Sequence, residues 1–387
     1  MRWESLKLGN VIDVKHGYAF KSEFFTDSGQ YILLSPGNCH EEGGLKLKGD
    51  KEKYYSGEFP AEYLMSEGDM LVVMTDLINT APILGGAFVI PEDNRFLHNQ
   101  RLGAVQITDD QRIDKGFLYY LLNSHDYRAQ VRGSASGATV RHTAPTRIKE
   151  CVVQVPTDVG YQKKIGDILS SYDDLIENNR RRMALLEESA RLLYREWFVR
   201  LRFPGYEHTP IVDGLPQGWE RMPLEQALVL QRGFDLPTQS RQDGTVPIYG
   251  STGILGYHDK AKASAPGVVT GRSGTLGEVR YVAEDYWPLN TALWVKEFKR
   301  VTALFALFLL REMDLKQFNG GASVPTLDRK SAHRVDVLVP SGGLLRSFDD
   351  FATDVFAQIG NLETQNQKLR AARDHLLPRL MSGEITV

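Results

Sequence analysis

The chain has 387 residues, and its 25% of charged residues nearly balance to a net charge of −3. That length predicts two or three domains, and the composition is that of a globular protein. No apolar run could span a bilayer, and the N-terminus lacks the apolar core of a signal peptide, so a cytoplasmic location is expected. Cys39 and Cys151 have no metal-type spacing, which disfavours a zinc ribbon and a disulfide framework.

The charge distribution does not indicate an overall basic protein. Residues 1–156 contain 17 Lys/Arg against 20 Asp/Glu, and residues 203–340 contain 15 against 15. A protein with this balance would bind nucleic acid through local loops or together with a more basic partner.

The first predicted segment is a globular domain over residues 1–156. Short apolar runs at 70–74, 86–90 and 151–155 are separated by turn residues and predict strands. One helix is predicted from 115 to about 131. The segment therefore indicates a mixed α/β domain.

A long helix follows, within the segment 157–201. No Gly or Pro falls between Asp167 and Phe198, and a helix over 162–198 would be roughly 55 Å long. Apolar residues recur four and three apart, as in a coiled-coil seam, with Asn179 as the one polar member. The predicted seam consists of Ile165, Leu169, Tyr172, Ile176, Asn179, Met183, Leu186, Ala190, Leu193 and Trp197.

The second half of the chain has the same organisation. A second domain is predicted over 202–340, with strands at 267–270, 277–282 and 292–295 and a helix over 301–318. A second long helix follows in 341–387, again with one asparagine in its seam. This seam consists of Phe348, Ala352, Val355, Ile359, Leu362, Asn366, Leu369 and Leu376.

Short echoes in the same order show that the chain is a tandem duplication. Residues 3–8 recur at 219–224, residues 137–140 at 321–324, and residues 153–156 at 337–340. The predicted fold is α+β: two mixed α/β domains separated by two long antiparallel coiled-coil helices. Pairing Asn179 with Asn366 places Trp197 opposite Phe348, and a polar pair of this kind fixes helix register. The repeat offset is 184 in the second and third of these echoes but 183 in the seams, which indicates a one-residue slip in one helix.

Motifs for catalysis are missing from the sequence. There is no P-loop, His-Glu-x-x-His, Gly-x-Ser-x-Gly or Cys-x-x-Cys, and the Asn/Asp-Pro-Pro-Tyr/Phe motif of DNA amino-methyltransferases is also absent. Catalysis by this chain is therefore not expected.

Polar, glycine-rich loops recur in both copies instead. Their Arg, Asn, Gln, Ser, Thr and His side chains suit phosphates and base edges, although any single one could be an ordinary surface residue. The candidates in the first domain are Lys15, His16, Tyr18, Asp76, Asn99, Gln100, Arg101, Ser136, Thr139, Arg141 and His142. Those in the second are Arg232, Phe234, Tyr249, Ser251, Thr252, Arg272, Ser273, Thr275, Asn290, Thr291, Ser323 and Thr326.

The sequence resembles the specificity subunits of type I restriction–modification systems over nearly its whole length. The resemblance is carried by Trp3-Glu4…Gly17-Tyr18-Ala-Phe20, Leu97-His-Asn99-Gln100-Arg101, the start of the first long helix, Val246-Pro-Ile-Tyr249-Gly-Ser-Thr-Gly253, Gly271-Arg-Ser-Gly274 and the ending Leu376-Leu-Pro-Arg-Leu-Met-Ser382-Gly383-Glu-Ile385. No single motif is decisive, but their order and duplication are specific.

The resemblance implies a non-catalytic DNA reader that serves DNA methylation and phage defence. Each domain would read one half of an asymmetric bipartite target in double-stranded DNA. The helices would set the spacer and dock two modification (methyltransferase) subunits, with two restriction (translocase/endonuclease) subunits beyond them. No cofactor is expected in this chain, because S-adenosylmethionine, ATP and Mg would be held by these partners.

Two departures qualify the resemblance. The second helix begins with Arg346-Ser-Phe-Asp349 where the first has Gln-x-x-Ile, so docking at the two ends is expected to differ. The first domain has Thr75-Asp76 where the second has Gly271-Arg-Ser-Gly274, so the target is expected not to be a palindrome.

Two alternatives from other classes stay open at this point. One is a two-domain scaffold that binds carbohydrate or protein, and the other is an enzyme with an unrecognised active site. Retrieval of an adenine methyltransferase, or methylation that appears only when a partner is added, would distinguish the DNA reader from both.

Overall fold

The computed structural model describes residues 2–321 and 323–387, so Met1 and the Ala322 of the predicted echo lie outside the described residues. The chain forms two compact units. Unit 1 comprises Met1–Asn178 and Gln365–Val387, and unit 2 comprises Asn179–Thr364. Each unit thus contains one predicted domain and one half of each long helix. The four-segment division by function stays a prediction.

Unit 1 is built on short strands in several small sheets. The four-stranded sheets have the orders β2-β10-β6-β8 and β3-β5-β4-β9, and the pairs are β1-β12 and β7-β11. The strands are β1 (Trp3–Lys7), β2 (Ile12–His16), β3 (Phe25–Thr26), β4 (Tyr31–Leu33), β5 (Tyr54–Tyr55), β6 (Met70–Val73), β7 (Thr75–Asp76), β8 (Ala87–Val89), β9 (Phe96–Leu97), β10 (Leu102–Ile107), β11 (Arg141–His142) and β12 (Val152–Pro156).

The helix predicted over 115–131 is two helices, α1 (Lys115–Leu122) and α2 (His125–Ser134). The break lies at Asn123, whose side chain accepts from Ala87 N at 2.9 Å and donates to Ala87 O at 3.2 Å. This tie to β8 diverts the chain, so the single-helix prediction was wrong. A short helix α3 (Pro145–Glu150) precedes β12, and α4 (Val159–Tyr194) follows it and ends in a π-helical turn, Arg195–Val199.

Unit 2 repeats this plan. Its sheets have the orders β16-β22-β19-β20 and β18-β17-β21, with pairs β15-β23 and β13-β14. Its helices are α5 (Leu224–Ala227), α6 (Ala303–Glu312), α7 (Arg329–His333) and α8 (Gly342–Met381). The strands are β13 (Ile211–Val212), β14 (Leu215–Pro216), β15 (Glu220–Pro223), β16 (Leu228–Arg232), β17 (Val246–Gly250), β18 (Gly253–His258), β19 (Gly267–Gly271), β20 (Val279–Val282), β21 (Trp287–Pro288), β22 (Ala292–Phe298) and β23 (Asp336–Val339).

The duplicated topology confirms the internal repeat. The echoes at each end of a domain are the two strands that close it: β1 pairs with β12 from Trp3 to Lys7, and β15 pairs with β23 from Glu220 to Pro223, both antiparallel. The helix predicted over 301–318 ends earlier, at Glu312, because Asp314 takes a left-handed conformation with φ 42°.

The long helices pack against each other inside each unit. In unit 1, Ile165 and Leu169 are fully buried in a cluster that includes Leu380 and Met381, and Asn366 Nδ2 donates to Ile176 O at 3.3 Å. Residue numbers rise along α4 as they fall along α8 in these contacts, which shows an antiparallel pair.

In unit 2, the buried face of α4 departs from the predicted seam. Tyr194 and Phe198 are buried, whereas the predicted Leu193 and Trp197 are half-buried at the edge of the same cluster. Phe348, predicted opposite Trp197, packs its ring 5.8 Å from that of Tyr194 and 5.2 Å from that of Phe198. At this end of α4 the buried residues, Tyr194 and Phe198, are four apart, and Phe198 lies in the π-helical turn that follows α4. The predicted seam is not kept here because α4 packs into the domain core as well as onto α8.

This aromatic cluster supplies the first test. Phe348 is fully buried against three aromatic rings, so Phe348→Ala is expected to lower the free energy of unfolding of unit 2 by about 3–5 kcal/mol. Phe351→Ala, three residues away and 41% exposed, is the matched control and should change stability by less than about 0.5 kcal/mol. Urea denaturation followed by tryptophan fluorescence measures both, and equal losses would contradict this packing account.

Candidate nucleic-acid interface

Two loops of unit 1 meet where a glycine permits close approach. Loop A (residues 16–18) crosses loop B (residues 98–101), and a Cβ on Gly17 would lie 2.2 Å from Asn99 O. Tyr18 N donates to His98 O at 2.9 Å, and Gln100 N donates to Tyr18 O at 3.0 Å. Only glycine fits at this crossing, which brings loop A and loop B to one surface.

Two more loops join them through Met74. Loop C (residues 74–79) is tied to loop B because Met74 N donates to Arg101 O at 3.0 Å. Loop D (residues 136–143) is tied to loop C because Thr143 N donates to Met74 O at 2.9 Å and strand β11 pairs with β7. The side chains of Thr75 and His142 are also hydrogen-bonded, with 3.1 Å between Oγ1 and Nδ1. The predicted candidates of unit 1 other than Lys15, which precedes loop A on β2, therefore lie in one loop cluster.

Unit 2 makes the same crossing with different residues. Loop A′ (232–234) meets loop B′ (288–291), and a Cβ on Gly233 would lie 2.2 Å from Leu289 O. Phe234 N donates to Pro288 O at 2.8 Å, and Asn290 N donates to Phe234 O at 3.0 Å. Loops A′ and B′ are therefore the structural counterparts of loops A and B.

The remaining loops of unit 2 join the same cluster. In loop C′ (271–275), Arg272 N donates to Thr291 O at 2.9 Å, as Met74 N does to Arg101 O in unit 1. Loop D′ (319–321 and 323–326) is held by a bond from Leu327 N to Arg272 O at 2.8 Å. Loop E′, the β17–β18 turn with Ser251 and Thr252, lies beside loop C′, since a Cβ on Gly271 would lie 3.2 Å from Ser251 O.

The candidates differ in how far their side chains reach solvent. The exposed ones are His16, Gln100, Arg101, Ser136, Thr139 and His142 in unit 1, and Arg232, Thr252 and Ser323 in unit 2. The half-buried ones are Lys15, Tyr18, Asn99 and Arg141 in unit 1, and Phe234, Tyr249, Ser251, Arg272, Ser273, Thr275, Asn290, Thr291 and Thr326 in unit 2.

Three candidates in unit 1 have their polar groups engaged within the protein. Asp76 is 1% exposed, and its carboxylate accepts from Ile78 N and Ile83 N, each at 2.9 Å. Arg141 donates to the carbonyl oxygens of residues 132, 135 and 137. The Lys15 ammonium forms an ion pair with Glu62 at 2.6 Å. Asp76 and Arg141 therefore shape loops C and D, and neither side chain is free to reach a ligand in this conformation.

His98 was not a candidate, yet it organises loop B. Its ring is 1% exposed, and Nε2 lies 2.9 Å from Leu102 O, to which it donates. Burial lowers the pKa of His98 to about 4, against a weaker opposing effect of that hydrogen bond, so the ring is neutral near pH 7. The sequence feature that could have identified His98 is its position inside the Leu97–Arg101 motif.

Exposed apolar side chains also lie on these loops and were not predicted. Leu77 and Ile78 on loop C are 63% and 55% exposed, and Val324 on loop D′ is 52% exposed. Sequence alone could not separate such residues from core residues, because their exposure depends on how the loop is anchored.

Other kinds of site find no support in the described residues. Across residues 2–321 and 323–387, no three His, Cys, Asp or Glu side chains are arranged to hold a metal ion. Burial raises the pKa of the Cys39 thiol to about 12 and that of Cys151 to about 11, so both thiols are poorly reactive. Over the same described ranges, no helix is long and apolar enough to cross a membrane.

A family model and a solved structure show what kind of protein this chain is similar to. Residues 1–188 match the family model of the type I restriction modification DNA specificity domain. A crystal structure of the type I restriction–modification S subunit from M. genitalium superposes with a TM-score of 0.58 at 19% identity, covering 98% of this chain and 96% of that one, and so shows the same fold. The family model therefore places a DNA specificity domain in residues 1–188, and the superposition shows the fold over nearly the whole chain.

The relatives in sequence are more particular. A type I restriction enzyme specificity subunit of Methanocaldococcus jannaschii is 23% identical over 344 residues, covering 80% of this chain and 77% of the relative. A putative type I specificity subunit of Mycoplasma genitalium is 22% identical over 401 residues, covering 98% and 94%. Residues 1–188 thus match the type I DNA specificity domain, and over most of its length the chain is similar to type I specificity subunits.

The glycine crossing can be tested by adding one methyl group. Gly17→Ala is expected to separate loops A and B and to lower the stability of unit 1 by about 1–3 kcal/mol. Hydrogen exchange at the amides of Tyr18 and Gln100 should accelerate. Gly133→Ala is the control, since its Cβ would meet nothing within 4 Å. Unchanged exchange in Gly17→Ala would contradict the crossing.

The buried imidazole predicts a pH dependence. The pKa of His98 is lower in the folded than in the unfolded chain, so its contribution to stability is present above pH 6.5 and is lost as the pH falls towards about 4. His98→Gln removes this titration, so the stability difference between wild type and variant should shrink over that interval. His125→Gln, whose parent side chain is 83% exposed, should show no such trend in thermal melts.

Proposed function

We propose that each loop cluster reads one half of an asymmetric, bipartite DNA target, and that the long helices set the spacer between the halves. The observation that carries the proposal is that the two units share one backbone arrangement of the loops but present different side chains on it. Gln100 and Arg101 in loop B correspond to Asn290 and Thr291 in loop B′, and His16 in loop A corresponds to Arg232 in loop A′. A shared frame with different side chains suits two half-sites of different sequence.

The exposed side chains have the right chemistry for base edges in the major groove. Arginine pairs with guanine, asparagine and glutamine pair with adenine, and serine and threonine accept several partners. The exposed polar side chains of the loops are Gln100, Arg101 and His142 in unit 1, and Arg232, Thr252 and Ser323 in unit 2. Asp76 and Arg141 act in this proposal by holding loops C and D, and the apolar tips Leu77 and Ile78 would contact thymine methyl groups.

Phosphate contacts would be shared with partner subunits, because neither domain has a basic excess. The proposed assembly contains two modification subunits, which bring S-adenosylmethionine, and two restriction subunits, which bring ATP and Mg. These cofactors belong to the partners in the proposal.

Exposed apolar residues on α4 support docking of a modification subunit on the helices. Leu185 and Leu192 are 71% and 49% exposed and lie seven residues apart on α4 in unit 2, and Val199, which is 49% exposed, ends the π-helical turn that follows. Residues at that spacing lie along one face of a helix or coiled coil, and a continuous exposed apolar face is typical of a protein–protein contact. Unit 1 exposes one comparable residue on α4, Leu175.

A domain exchange tests the proposal. Replacing residues 203–340 by those of another specificity subunit keeps the closing strands β15 and β23 together, so the replacement domain should fold. Sequencing of the host methylome is expected to show a bipartite motif in which only one half has changed. The reciprocal exchange of residues 1–156 is the control and should change only the other half.

Two outcomes would contradict the proposal. One is a change of both halves on exchange of a single domain. The other is a host methylome that stays the same when the gene is deleted, which would favour a scaffold without a DNA target.

A further inference from the structure

A partly buried polar cluster joins three helices of unit 1. The Tyr120 hydroxyl on α1 donates to Asp173 Oδ2 on α4 at 2.6 Å, and Arg373 Nη1 on α8 donates to Asp173 Oδ1. Tyr120 is 5% exposed, and the side chains of Arg373 and Asp173 are 19% and 30% exposed. These three residues are called the polar clamp here. It is a direct polar link from the recognition domain to both long helices.

The protonation states suit these bonds. Burial, reinforced by the negative charge of Asp173, raises the pKa of Tyr120, so the hydroxyl keeps its proton and donates it. Burial alone would lower the pKa of Arg373, but its interactions with Asp173 and Asp374 together outweigh that effect and raise it. Arg373 Nη2 also donates to Asp374 Oδ1 at 2.8 Å, which holds the guanidinium in place.

Unit 2 attaches its domain to the helices through two separate polar contacts and an aromatic cluster. Thr302 Oγ1 donates to Asp349 Oδ1 on α8 at 2.7 Å, and Arg311 on α6 pairs with Glu187 on α4 at 2.7 Å. Helices α1 and α6 begin with equivalent caps, since Asp114 accepts from Phe117 N and Thr302 accepts from Phe305 N. This alignment places Phe308 at the position of Tyr120. The ring of Phe308 packs 6.2 Å from that of Phe356 and 5.9 Å from that of Phe348 on α8.

The two attachments differ in how their polar contacts are arranged. In unit 1 one carboxylate, that of Asp173, joins the domain to both long helices, whereas in unit 2 two separate pairs do so. A hydrogen bond weakens steeply as its angle departs from linear, and a partly buried carboxylate that loses one of two partners keeps part of its desolvation cost. The polar clamp therefore holds the first domain in one orientation on the helices.

We propose that the polar clamp is a positioning device that sets where the first recognition domain stands along the helices, and so determines how strictly the protein selects spacer length. Asp173, which receives both bonds, is its central positioning residue. The inference rests on the proposed function, because a spacer has meaning only for a bipartite target.

The test uses the full chain assembled with its modification subunit, on duplexes carrying the methylome-derived target. Methylation rates are compared for the natural spacer and for spacers one base pair shorter and longer. Asp173→Asn is expected to reduce the preference for the natural spacer by about tenfold, the equivalent of about 1.4 kcal/mol, while base preference within each half is unchanged. Tyr120→Phe, which mimics Phe308, should act in the same direction but less.

Two further variants keep the test decisive. Asp174→Asn removes an exposed carboxylate on the same helix and should leave spacer preference as in wild type. The double variant Asp173→Leu/Arg373→Met replaces the ion pair by apolar contact, a change that buried pairs often tolerate. It should fold and lose spacer preference.

The outcomes separate the two proposals. If the folded clamp variants keep the wild-type spacer preference, the clamp is structural only and this inference fails, while the proposed function stands. If wild type methylates no bipartite motif at all, the proposed function itself fails.

Discussion

Each globular domain depends on pairing its first strand with its last. β1 pairs with β12 in unit 1 and β15 with β23 in unit 2, so each domain closes just before its long helix begins. This closure fixes the direction in which the helix leaves the domain. It also allows the segments between the closing strands to differ, because the frame is made by backbone hydrogen bonds rather than by particular loop side chains.

The closing strands also explain why the repeat could be predicted from the sequence. Both copies need the same apolar alternation at positions 153–156 and 337–340, so the echoes persist where the loops differ. The paired helices and the mixed α/β domains were predicted from similar apolar patterns, and the likeness to type I specificity subunits came from the order of several short motifs. A polar loop residue gives no such pattern. Asp76 and Arg141 look like surface residues in the sequence, and only the fold shows that backbone groups engage them.

The residues that a helix buries, and the point at which a helix breaks, were also not predictable from the sequence. A heptad pattern favoured Leu193 and Trp197 as seam residues, but the domain core of unit 2 buries Tyr194 and Phe198 instead. The break between α1 and α2 depends on the bonds of Asn123 to Ala87, 36 residues away in sequence. Both results arise from long-range contacts that local periodicity does not contain. The convergence of the loops at Gly17 and Gly233 was likewise visible only in three dimensions.

The interleaving of the two units has a consequence for synthesis on the ribosome. Unit 2 is one continuous stretch, Asn179–Thr364, whereas unit 1 needs Gln365–Val387 to complete it. Leu380 and Met381 share a buried cluster with Leu6 and Leu8, which are made more than 370 residues earlier. The unit that is translated first is therefore finished last, and its apolar helix face stays uncovered until residues 365–387 have emerged.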